Sequence, residues 1–83
     1  MSTADEIRSF VKKTYIQTAR SRSEKTVSFS AEDIHNAMGL KNRYPLVCSS
    51  IDTDKFLDFA SVTLINREGP KQSNTVRWTF SLQ

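Results

Sequence analysis

The stretch FSAEDIHNAMGLKNRYP, from Phe29 to Pro45, carries a helix start, a helix stop and a second helix start in close succession. Ser30 and Asp33 have capping-box spacing, in which the hydroxyl and the carboxylate each satisfy a backbone N–H that a helix start leaves free. Phe29, just before the cap, can pack on Ile34 four positions after it as a hydrophobic staple. Ile34, Ala37 and Met38 line one face, Gly39 supplies the left-handed residue that ends a helix, and Leu40 folds back. Pro45 suits the first turn of the next helix, where its missing N–H would have had no partner. The spacing therefore predicts a helix over 31–38, a turn over 39–42 and a helix over 45–51 on which Tyr44, Val47, Cys48 and Ile51 share a face.

Upstream, Thr3 and Glu6 repeat the capping pattern. Ile7, Phe10, Val11, Thr14 and Tyr15 follow at offsets of three and four, with Ile16 and Ala19 nearby, which predicts a helix over 4–19. A polar loop follows, and Thr26 to Phe29 alternates as a short strand. Downstream, Phe56, Leu57, Phe59 and Ala60 do not continue the stripe of Val47 and Ile51, so the helix should bend or restart near Asp52 and Thr53. Val62 to Arg67 and Thr75 to Leu82 are strand-like, the second alternating Val76, Trp78, Phe80 and Leu82 against Thr75, Arg77, Thr79 and Ser81. Glu68 to Asn74 then forms a polar hairpin loop. The expected core is Val27, Phe29, Ile34, Met38, Val47, Ile51, Leu64, Val76, Trp78 and Phe80.

Composition narrows the function. A chain of 83 residues, 37% hydrophobic and 25% charged with two glycines and two prolines, makes one folded domain over 1–83. No apolar run is longer than Leu46-Val47-Cys48, so neither a membrane span nor a signal peptide is expected, and a cytoplasmic location follows. One cysteine and one histidine rule out an internal disulfide and are too few soft ligands for a zinc site. Without a Gly-rich phosphate loop or a nucleophile beside a base, no enzyme, metal or cofactor is expected. Cys48, on an apolar face, reads as a buried structural thiol, and His35 as an exposed or satisfied packing residue. Trp78 and Phe80 read as core rather than as base-stacking platforms.

The net charge of +3 is unevenly placed. From Arg8 to Lys25, six basic residues (Arg8, Lys12, Lys13, Arg20, Arg22 and Lys25) face Glu24 alone, whereas 26–40 carry Glu32 and Asp33 and no basic residue. Cations return at Lys41, Arg43, Arg67, Lys71 and Arg77. Such segregation suits a polyanion, although solubility alone can account for it.

The order helix, short strand, helix, Gly-containing turn, helix, strand, polar loop, strand resembles the winged helix-turn-helix family from Thr3 to Leu82. The resemblance implies an α+β fold of three helices with a short strand and a C-terminal β-hairpin wing. It also implies a small transcriptional regulator whose partner is double-stranded DNA, with the third helix in the major groove and the wing on the backbone. On the matching positions, Lys41, Asn42, Arg43 and Tyr44 begin the reading helix, Ser49 lies farther along it, and Arg67, Lys71, Gln72, Asn74 and Arg77 furnish the wing. The chemistry agrees in part: Arg and Lys pair with guanine and Asn with adenine. The plainer reading of Lys41 to Arg43 is a solvated turn. Asp52, Asp54 and Asp58 would repel phosphates unless turned away. An exposed Leu46 would instead suit a protein-protein interaction module, and a homodimer would let so small a domain read two half-sites.

Overall fold

A computed structural model describes residues 3–69 and 73–82 of the chain. Helix α1 covers 3–21 as an α-helical Thr3–Val11, a π turn Lys12–Ile16 and an α-helical Gln17–Ser21. Strand β1 is Thr26–Ser30, helix α2 Ala31–Ala37, helix α3 Tyr44–Ile51, helix α4 Asp54–Ala60, and strands β2 and β3 are Thr63–Glu68 and Arg77–Ser81. The chain is thus α+β, with four helices and an antiparallel sheet of order β1-β3-β2. The expected count of three helices is corrected. Thr53 turns the expected restart into a separate helix by accepting the Phe56 N–H on its hydroxyl at 3.2 Å.

The signals around Phe29–Pro45 are realised atom by atom. Ser30 Oγ accepts from Asp33 N and Asp33 Oδ2 from Ser30 N, both at 3.0 Å. At the other end Gly39 takes φ +66°, its N–H donates to Asn36 and that of Leu40 to His35, closing a Schellman turn. Pro45 sits in the first turn of α3.

Two irregularities reset the side-chain phase. In α1 the π turn inserts a residue, so Val11 and Ile16, five apart, both enter the core with Ile7 and Ala19. Tyr15 is left half-buried, stacked on Phe29 at 4.8 Å between centroids. In the sheet, Leu64 pairs with Phe80 and Asn66 with Thr79, leaving Ile65 as a bulge. Beyond the bulge Arg67 stands opposite Trp78, on the face that packs against the helices, although simple alternation from Leu64 would put Asn66 there.

Phe29, Ile34, Val47, Ile51, Val76, Trp78 and Phe80 are buried as expected, with Val27 and Met38 packed at the margin. Leu64 departs from expectation at 41% exposed, on edge strand β2 where it lines an open cleft with Leu57 of α4. The outer sheet face is polar: Thr26, Ser28 and Ser30 stand beside Arg77, Thr79 and Ser81. None of the helices among the described residues is long and apolar enough to cross a membrane.

Two turn residues yield stability predictions. Ser61 ends α4 with φ 56° and ψ 50°, a conformation costly to any residue with a Cβ. Ser61→Gly is expected to stabilise the fold by about 0.5–1 kcal/mol in urea unfolding, since the bond from Arg20 to the Ser61 carbonyl is kept. Gly69 has φ +99°, and a Cβ there would lie 2.9 Å from the Thr75 carbonyl oxygen. Gly69→Ala should therefore lower the urea midpoint, at a cost of roughly 1–3 kcal/mol.

Candidate nucleic-acid interface

The 38–43 connection places α3 by one side chain that sequence reading left undecided. His35 is buried, its Nε2 accepts the Arg43 backbone N–H at 3.2 Å, and its ring stacks on Tyr44 at 4.0 Å and 11°. The imidazole thus satisfies a donor at the start of α3, where the N-cap residue Arg43 offers no side-chain cap of its own. Tyr44 is half-buried with one ring face against His35, so its packing role is the one the geometry displays. Lys41, Asn42 and Arg43 are exposed just ahead of it, Asn42 in the left-handed region at φ 54°.

Along α3 the exposed positions are Pro45 and Ser49, with Leu46 packed against the core margin. Ser49 Oγ donates to the Leu46 carbonyl at 3.1 Å. The loop after β2 returns beside this helix, where Cys48 Sγ lies 3.7 Å from the Ser73 carbonyl oxygen. Burial pushes the Cys48 thiol up, and the nearby Asp52 carboxylate adds to that, so the thiol is a packing group. Asn74 is exposed on the loop, and Arg77 is exposed on the outer sheet face, with Nη1 3.4 Å from Ser28 Oγ. Lys71 and Gln72 lie outside the described residues.

Arg67 is the site residue whose surroundings differ most from expectation. Its Nε and Nη2 donate to Asp52 Oδ1 and Oδ2, both at 2.9 Å, and Nη1 reaches the Gly69 carbonyl at 3.3 Å. The same Asp52 Oδ1 accepts the indole N–H of the fully buried Trp78 at 2.7 Å. The Asp52 hydrogen bond holds the Arg67 guanidinium above its ordinary range. One carboxylate at the C-terminus of α3 therefore grips both strands of the hairpin. From sequence Asp52 marks the helix break and a charge that repels phosphate, and the feature that pairs it with Arg67, a bulge at Ile65, leaves no residue signature.

Half of the six basic residues between Arg8 and Lys25 make structural contacts, and Lys13, Arg22 and Lys25 are exposed. Arg8 Nε donates to the Ser50 carbonyl at 3.0 Å and Nη1 to Asp5 at 2.8 Å, Arg20 binds the Ser61 carbonyl at 2.6 Å, and Lys12 Nζ sits 4.6 Å from the Phe59 ring centroid. These cations pin α1 to the ends of α3 and α4. Beside the Asp52–Arg67 pair, a cleft of about 350 Å³ opens over Ile51, Leu57, Leu64, Trp78 and Phe80. Ile65, the bulge residue next to Leu64 in the chain, is 55% exposed. The exposed large apolar side chains among the described residues are Phe59, Leu64 and Ile65, and Leu46 is packed against the core margin, which corrects the expectation of an exposed Leu46. Among the described residues no His, Cys, Asp and Glu converge as metal ligands. The chain matches no protein-family model, and no curated protein or solved structure is significantly similar to it.

Proposed function

We propose that this chain binds double-stranded DNA as a winged helix-turn-helix, a small cytoplasmic transcriptional regulator that offers the start of α3 to the major groove and the loop between β2 and β3 to the backbone. The observation that carries the reading is the α2–turn–α3 unit backed by a β1-β3-β2 antiparallel sheet, whose hairpin loop returns beside α3. Such a unit presents the N-terminal residues of its second helix to base edges, and those are Lys41, Asn42 and Arg43, all exposed. Lys71, Gln72 and Asn74 on the loop, with Arg77 just beyond it, then contact phosphates and fix the register without reading sequence.

A second reading has its own observation. Leu64 and Ile65 are exposed together on a free sheet edge, a surface that proteins normally cover or blunt. A protein partner, or a second copy of the chain, could add there.

Backbone amide NMR with a mixed-sequence duplex separates the two. The DNA reading expects shift changes at residues 41–49 and 73–77. Changes confined to residues 63–68, or none at all with folded protein at low salt, contradict it.

A further inference from the structure

We infer that Asp52 withholds Arg67 from nucleic acid, so that this side chain sets how many phosphates the domain neutralises. The inference rests on the DNA reading and concerns the regulation of that same surface. Arg67 lies at the base of the hairpin loop, where the proposed binding mode would turn it to phosphate. Instead both ends of its guanidinium fork are taken by the two oxygens of one carboxylate, the planar bidentate match that makes Arg–carboxylate pairs strong. The pair is partly withdrawn from water, with 23% of the Arg67 and 27% of the Asp52 side chain exposed, so solvent screens it less than an open surface pair.

Asp52 is itself held in place. The Trp78 indole N–H fixes its Oδ1, and Trp78 is fully buried, so the carboxylate cannot swing out to follow Arg67 to a new partner. A phosphate taking Arg67 would break two charge-assisted bonds, leave Asp52 charged beside buried Trp78, and approach that negative charge. Arg67 therefore stays with Asp52 when DNA binds, and the pair holds the hairpin against the end of α3. Asp52 is a positioning residue in this account, and removing its charge releases a cation.

The test is the salt dependence of binding to a mixed-sequence duplex, followed by fluorescence anisotropy. Asp52→Asn keeps an acceptor for Trp78 and loses the charge. It is expected to steepen the slope of log affinity against log salt by about 0.9 and to tighten binding roughly five- to tenfold near 0.1 M salt. Arg67→Gln in the otherwise unchanged protein should leave the slope as it was. A purely structural role for Asp52 would not change a slope. Binding with an unaltered slope in Asp52→Asn, or a slope about 0.9 shallower in Arg67→Gln, overturns the inference while leaving the DNA reading intact. If Asp52→Asn fails to fold by circular dichroism, the Arg67→Gln slope decides. No duplex binding by the unsubstituted protein overturns both.

Discussion

Trp78→Ala is expected to destabilise the fold by about 3–5 kcal/mol, measured by urea unfolding followed by far-ultraviolet circular dichroism. Trp78, on the central strand β3, is the largest fully buried side chain among the described residues, its ring centroid 5.9 Å from that of Phe29 on β1. Truncation removes that ring and leaves a cavity between the sheet and the helices. It also takes away the N–H that holds Asp52, so the carboxylate is left with Arg67 on one side and a void on the other. Small domains have roughly 5–15 kcal/mol of total stability, so the loss is a large share of it. Trp78→Phe restores most of the volume without the donor and should recover more than half of the deficit. Equal damage from both variants would mean that the indole N–H, and not the packing, dominates.

The second large effect is functional. Arg43→Ala is expected to erase about 1–3 kcal/mol of discrimination between a preferred duplex and one with the contacted guanine replaced, about 5- to 150-fold in relative affinity. The side chain is exposed at the start of α3, and the bond from its backbone N–H to His35 survives the substitution, so the fold should be unaffected. Arg43→Lys sharpens the test, because lysine keeps the charge and loses the fork that matches guanine. It should lose most of the discrimination while keeping the salt slope. Lys71→Ala should weaken all duplexes alike and flatten the slope by about one unit. A preference that survives Arg43→Ala would move base reading elsewhere on the chain.

What could be read from the sequence was local, and what could not was long-range. Ser30, Asp33, Gly39 and Leu40 announce their bonds because each partner lies within five residues. Trp78 and Phe80 announce their burial through the alternation of their strand. The π turn and the bulge each add one residue to a regular element, and no residue type marks such an insertion, so Ile16 and Arg67 faced unexpected directions. Thr53, followed by Asp54 in the first turn, carries the N-cap signal that decides between the bend and the restart expected there, in favour of a separate α4. In the site, exposure at Lys41, Asn42 and Arg43 followed from the turn. The lock from His35 and the grip of Asp52 depend on partners brought together by the whole fold, eight and fifteen residues apart in the chain.

Salt titration of the unsubstituted chain with mixed-sequence duplex DNA is the decisive measurement. With Arg67 held by Asp52, the cations left for phosphate are Lys41, Arg43, Lys71 and, from the outer sheet face, Arg77. Three or four released counterions predict a slope of roughly −3 to −4, where a freely available Arg67 would add about one unit. A slope in that range, with binding lost in the Lys41→Ala, Arg43→Ala double variant, is the result expected. Folded protein that shows no duplex binding even at low salt, or binding whose slope is near zero, would contradict it.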